Sequence, residues 1–323
     1  MNSFELAKAT STSQARELLD EKPMSAFKAG GIDVIDHLKL HLLEPSRLVN
    51  LGSIAGLDEI DVDGDGTLRI GALATLAQVA AHSEIEKGWP ALTSACAEAA
   101  SPQIRNVATV GGNVLQRPRC WYYRLESYKC IKKGGDVCYA LTGNNRYNVI
   151  FGGGPAYPPH PSSAAIPLVA YGATFVLEGP DGSRTVPAGE FFTLPEVNPE
   201  RENVLAPGEI LTEIRIPATS GARSAYVEAR ERAGFDWPLA SVAVVTSASE
   251  GKVTEARVVL GHIATIPWRS EPAEQALVGQ TLGAESAGAA GKAAVEAAQP
   301  MSQNGYKVDL VAALVRRVVA SLA

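Results

Sequence analysis

Ile104-Arg105-Asn106-Val107-Ala108-Thr109-Val110-Gly111-Gly112-Asn113 is the stretch on which the reading of this chain turns. Adjacent glycines let a main chain approach a bulky anion and take up positive φ angles that other residues resist. Successive N–H groups in such a bend form a concave anion site, which suits a pyrophosphate. A single Gly-Gly pair is most often an ordinary tight turn. Here a second one, Ala29-Gly30-Gly31-Ile32-Asp33, lies about 80 residues upstream, so two bends can clamp one ligand.

The residues around the first pair strengthen that reading. Ser25-Ala26-Phe27-Lys28 has the character of a short buried strand, and 33–43 has helical spacing stopped by Pro45. Strand, glycine turn and helix in that order present amides and a helix N-terminus to a phosphate. Nearer the N-terminus, residues 4–20 read as one helix with Ser13 as a cap. Ile60-Asp61-Val62-Asp63 and Leu68-Arg69-Ile70-Gly71 flank an Asp65-Gly66 hairpin turn. The acidic loop Asp61, Asp63, Asp65 is not read as a calcium site, because no downstream glutamate completes it. Helices are expected over 75–86 and 90–101, the latter with Cys96 on a face of alanines. Ile210-Leu211-Thr212-Glu213-Ile214-Arg215-Ile216-Pro217 reads as an edge strand ending at proline.

At 323 residues two lobes are expected, and a composition shift at 218–222 marks the boundary: 1–218, then 219–323. The second lobe reads as antiparallel strands over 224–230, 240–247 and 253–260, with helices over 271–278, 284–297 and 306–322. The fold class is therefore α+β. Net charge of −6 argues against nucleic acid as the main partner. Against that acidic background stands a basic cluster, Arg105, Arg117, Arg119, Arg124, Lys129, Lys132 and Lys133, read either as facing an anion or acidic partner or as a solvated patch. No run of eighteen apolar residues and no signal-peptide pattern is visible, so a cytosolic location is expected, with export beside a signal-bearing partner as the alternative.

Residues 114–155 lack periodicity and are punctuated by Gly134-Gly135, Gly143 and Gly152-Gly153-Gly154. Loops of such length inside a domain usually serve function. This insertion holds Cys120, Cys130 and Cys138, three of the chain's four cysteines.

The ordered set of segments resembles the FAD-binding medium subunits of molybdenum hydroxylases, the carbon monoxide dehydrogenase, xanthine dehydrogenase and aldehyde oxidoreductase family. The set comprises the two glycine bends, Ile70-Gly71-Ala72-Leu73-Ala74-Thr75, His160-Pro161-Ser162-Ser163, Phe235-Asp236-Trp237-Pro238-Leu239-Ala240 and Pro267-Trp268-Arg269, and covers nearly the whole chain. The resemblance implies a two-subdomain FAD-binding fold of the PCMH type followed by a C-terminal sheet-and-helix domain. It also implies that Ala26, Phe27, Lys28, Ala29, Gly30, Gly31, Ile32, Asp33 and Val34 wrap the FAD pyrophosphate. Thr109, Gly111, Gly112, Asn113 and Ser163 would complete the cradle, and no residue is assigned a catalytic role. Expected partners are a molybdopterin-binding large subunit and a [2Fe-2S] small subunit, with NAD, oxygen, a quinone or a ferredoxin as final acceptor.

Three departures from the family pattern stand out. Ile32 replaces a usual threonine, Ser163 replaces the aspartate of His-Pro-Ser-Asp, and Glu228 stands where a lysine is usual before Arg230. Spacing of Cys120, Cys130 and Cys138 resembles the insertion that carries a [4Fe-4S] cluster in some family members, but the fourth ligand is open, since Ala156 holds its place. A stand-alone flavin reductase of the same superfamily and a scaffold that has lost flavin are the alternative readings.

Overall fold

Main-chain pairing in the N-terminal segment, not helical propensity, decides its structure. The computed structural model, which describes residues 1–232 and 234–323, has a strand at Glu5–Lys8 and a helix at Thr12–Asp20 where one helix over 4–20 is expected. Glu5–Lys8 pairs in parallel with Arg47–Asn50, which takes Ser25–Lys28 on its other side. The cap moves accordingly: Ser11, extended at φ −148°, accepts from the Gln14 N–H at 3.1 Å, and Ser13 lies inside the helix. Parallel strands need crossovers. The helices Thr12–Asp20 and Ile32–Lys39 supply them, and the second crossover begins at Gly30-Gly31.

A five-stranded antiparallel sheet follows, in the order Ile60–Val62, Leu68–Gly71, Ile210–Ile216, Thr174–Gly179, Gly182–Pro187. Ile210–Ile216 is thus the central strand, not an edge. It pairs on both sides because Pro217, which lacks an N–H, falls one residue beyond the ladder. The helix expected over 75–86 divides at His82, which is extended, into Leu76–Ala81 and Ser83–Gly88. The next helix, Pro90–Glu98, buries Cys96 completely in the core with Leu92 and Val110.

The third sheet runs Trp268–Arg269, Lys252–Gly261, Ala240–Ser249, Arg223–Ala229, all antiparallel. Helices Glu271–Leu277, Ala284–Ala293 and Tyr306–Ser321 pack with it around a second core that includes Val242, Val258, Leu314 and Val318. Among the described residues no helix is long and apolar enough to cross a membrane.

The insertion has little regular structure beyond the short helix Trp121–Arg124 and two 3₁₀ turns, Ile131–Lys133 and Tyr139–Leu141. Tyr122, Tyr128 and Tyr139 hold it together through ring contacts with centroids 5.0–6.0 Å apart.

Candidate functional site

The strand Ser25–Lys28 delivers the chain into Gly30 and Gly31, and Gly31 opens the helix Ile32–Lys39 in the left-handed conformation, φ +89°. No side chain caps that helix. The N–H groups of Gly30, Gly31, Ile32, Asp33 and Val34 find no acceptor among the described residues. Five successive free amides at the positive end of a helix form an anion site.

The second bend closes on the first. A β-carbon on Gly30 would sit 2.1 Å from the Val107 carbonyl oxygen, and one on Gly111 would sit 2.8 Å from that of Ala72. Both bends line one cavity of about 620 Å³. Their chemistry differs, however. Val110 and Gly111 N–H donate to the Ala74 and Ala72 carbonyls, Asn113 N–H to the Thr109 carbonyl, and Gly112 N–H to Thr109 Oγ1 at 3.1 Å. The expectation that both bends grip an anion through main-chain hydrogens is corrected: the first offers donors, and the second is a close-fitting floor.

Of the expected cradle residues, Phe27, Ala29, Gly30, Gly31, Ile32, Asp33, Val34, Thr109, Gly111, Gly112, Asn113 and Ser163 line the cavity. Ala26 and Lys28 do not, because alternation along Ser25–Lys28 turns them to the other face. Asn113 Oδ1 accepts from Ser162 Oγ at 2.7 Å and from the Ala164 N–H at 3.3 Å, which ties the His160–Ser163 loop to the floor. His160 is fully buried beside Phe192, and that burial lowers its pKa to about 3, so it stays neutral.

Four members of the basic cluster, Arg117, Arg119, Arg124 and Lys132, are paired with carboxylates, whereas Lys129 is exposed and Arg105 and Lys133 reach main-chain carbonyls. Asp33 Oδ1 receives Arg119 at 2.8 Å and Arg124 at 2.9 Å, and Asp33 Oδ2 takes the Arg117 N–H at 2.8 Å. Arg124 also reaches Asp36 at 2.6 Å, while Arg117 and Lys132 share Glu202 at 2.9 and 2.7 Å. Burial pushes the Asp33 carboxyl up, but Arg119 and Arg124 outweigh it and hold the group below its usual value. Burial brings Arg119 down to about 10. These pairs latch the insertion onto the helix that carries the free amides. Sequence reasoning singled out Arg119 only within the basic cluster and did not place His37 or Tyr123 on the cavity.

Two of the family departures turn out to touch: Ser163, on the cavity wall, donates through Oγ to Glu228 Oε2, which lies behind it, at 3.3 Å. Ile32, the third, lines the cavity and is 39% exposed, leaving an apolar surface there.

The cysteines fare differently. Among the described residues no three His, Cys, Asp or Glu side chains are grouped as a metal-ion site. Burial raises the thiols of Cys120 and Cys130. Ala156 is fully buried at the fourth place, and Cys96 is held in the core with its thiol raised to about 12 by burial. For the expected metal set of Cys120, Cys130 and Cys138, no fourth donor is brought to the three thiols among the described residues, and a [4Fe-4S] cluster is not supported for this subunit.

Residues 2–219 match the family described as FAD binding domain in molybdopterin dehydrogenase, and residues 224–322 match the CO dehydrogenase flavoprotein C-terminal domain. The chain belongs to the FAD-binding medium subunits of the molybdenum hydroxylases. It is 32% identical to the aldehyde oxidoreductase FAD-binding subunit of Escherichia coli, over 100% of this chain and 98% of that one. It is 28% identical to the carbon monoxide dehydrogenase medium chain of Hydrogenophaga pseudoflava, over 98% of this chain and 96% of the other. Among solved structures, carbon monoxide dehydrogenase from the same organism superposes with a TM-score of 0.77 at 28% identity, covering 98% and 96% of the two chains. The relatives are FAD-dependent oxidoreductase subunits. The cavity fits such a cofactor, since free amides stand where a pyrophosphate would need donors and an added Cβ at Gly30 or Gly111 would collide with backbone.

Proposed function

We propose that this chain is the FAD-holding, electron-transferring subunit of a heteromeric molybdenum hydroxylase acting on an aldehyde, a purine or another N-heterocycle. One observation carries the reading: the unpartnered amides of Gly30, Gly31, Ile32, Asp33 and Val34 open into a cavity whose opposite wall is the second glycine bend. The bound cofactor would supply redox chemistry that links a partner's [2Fe-2S] centres to an external acceptor, NAD, oxygen, a quinone or a ferredoxin. The polypeptide binds, orients and shields it. Residues 1–218 form the flavin-holding unit, residues 219–323 close its open side, and large molybdopterin and small iron–sulfur subunits complete the enzyme.

That the relatives are an FAD-binding subunit and a medium chain supports this division of labour. A scaffold without flavin is disfavoured, because a cavity of about 620 Å³ is kept open between the bends rather than filled by side chains. Co-purification of the tagged chain from its host, with a visible spectrum and an iron assay on the isolated subunit, tests the reading. Flavin with no subunit-bound iron is expected. Absence of flavin from both complex and subunit would sink it.

A further inference from the structure

Glu228 sits on the strand Arg223–Ala229 with its side chain 1% exposed. Three groups satisfy its carboxylate: the Tyr226 hydroxyl donates at 2.6 Å, the Ser163 hydroxyl donates at 3.3 Å, and Arg230 forms an ion pair through Nη2. The same Arg230 nitrogen donates to the Glu98 carbonyl. A buried charge persists only when paired and hydrogen-bonded, and these contacts meet that need for Glu228. At 1% exposure its side chain is closed off from the cavity.

Arg230 is held on one edge only. Its Nε is buried and has no acceptor among the described residues, while the residue lines the large cavity. An unmet buried donor is costly, and guanidinium presents its donors in a rigid fork. Something in the cavity must complete the arginine.

The geometry points to Arg230 as the cation that meets the isoalloxazine end of FAD, with Glu228 as the positioning residue that aims it. This assignment rests on the proposed flavin reading and deepens it. The phosphates already have their donors in the Gly30–Val34 amides. Arg230 belongs to the other lobe, whose Phe235 and Trp237 line the same cavity and are exposed, and aromatic faces suit a planar ring system. A fixed cation beside the bound ring system would favour the reduced cofactor, where negative charge gathers.

The test uses the full chain within its complex, titrated after flavin removal with FAD and separately with ADP, and the reduction potential of bound FAD is measured. For Arg230→Gln, FAD affinity is expected to fall about tenfold, the scale of one lost charged hydrogen bond. ADP affinity should stay within about twofold, which also certifies the fold. The potential should move to more negative values, and Arg230→Lys should restore most of it. Glu228→Gln separates positioning from simple charge: removing a nearby anion raises the potential by Coulomb's law, whereas releasing Arg230 lowers it. A lowering is expected. The assignment is overturned if Arg230→Gln weakens ADP in step with FAD, if it moves neither affinity nor potential, or if Glu228→Gln raises the potential. Wild-type protein that takes up ADP but not FAD overturns the flavin reading itself and the Arg230 role with it.

Discussion

The first glycine bend and the arginine-rich insertion lie side by side on the helix Ile32–Lys39, yet they are built in opposite ways. The bend offers main-chain hydrogens and almost no side chain; the insertion spends side-chain charge on Asp33, Asp36 and Glu202 and leaves little of it for a ligand. Shape in the bend comes from what glycine lacks. Shape in the insertion comes from long-range pairing of ions. On the proposed reading, helix-end amides would meet an anionic cofactor while nearby arginines are paired with carboxylates, which would let an acidic protein hold a diphosphate.

The sharpest break in this comparison is Gly30→Ala against Gly134→Ala. At Gly30 the new methyl would meet the Val107 carbonyl at 2.1 Å, so the two bends must separate. A stability loss of at least about 3 kcal/mol is expected, with FAD affinity reduced by more than about 100-fold. Gly134, in the insertion, has φ +76° and an open surrounding, with the nearest atom at 3.9 Å. Only backbone strain is added there, about 1 kcal/mol, with FAD affinity unchanged. Denaturant melts and flavin fluorescence titrations read both. Equal effects at the two glycines would remove the distinction.

Next in size is Asp33→Asn, which strips a shared carboxylate from Arg119 and Arg124 while leaving the amide cradle in place. Breaking one side of a largely buried pair costs about 3 kcal/mol. The insertion should become susceptible to limited proteolysis, while ADP binding to the purified subunit should persist. Loss of ADP binding with the insertion still protected would mean that Asp33 serves the cradle, not the latch.

The difference between the regions also explains what could be read from sequence. A glycine bend announces its backbone requirement in two or three residues, so both bends were visible, and most of the expected cradle residues do line the cavity. Their convergence was not, since it depends on the parallel strands around Arg47–Asn50. The ion pairs were illegible for the same reason: Arg119 and Arg124 meet carboxylates 83 to 91 residues away. Alternation along Ile210–Ile216 fits an edge strand or a central one equally, because periodicity reports faces and not neighbours. The cysteine spacing was not decisive, because ligation needs a fourth donor, which distance along the chain does not encode.

A smaller, pH-dependent effect probes the floor side of the cavity. His160 and His262 have folded pKa values lowered by burial from 6.5 to about 3, so the unfolded chain binds their protons first. Their contribution is complete above pH 6.5 and is lost as pH falls from 6.5 toward 3, with a histidine slope approaching two protons. Asp33, with its carboxyl depressed, adds a further loss only at the acid end. Stability measured by denaturant from pH 7 to 4 should fall more gently in His160→Gln. An unchanged slope would show that His160 is protonated in the folded protein.

The smallest expected effect decides whether the second bend is floor or donor. Thr109 Oγ1 accepts the Gly112 N–H at 3.1 Å and so caps the helix Val110–Val114. Thr109→Ala should cost about 1 kcal/mol of stability, the usual worth of an N-cap. Because it removes a hydroxyl already engaged by its own helix, FAD affinity should change by less than about threefold. If the hydroxyl instead contacts phosphate, affinity falls about tenfold in Thr109→Ala and returns in Thr109→Ser. Return of stability without any change in affinity is the result that a floor requires, since a cap serves the backbone it closes and not the ligand beyond it.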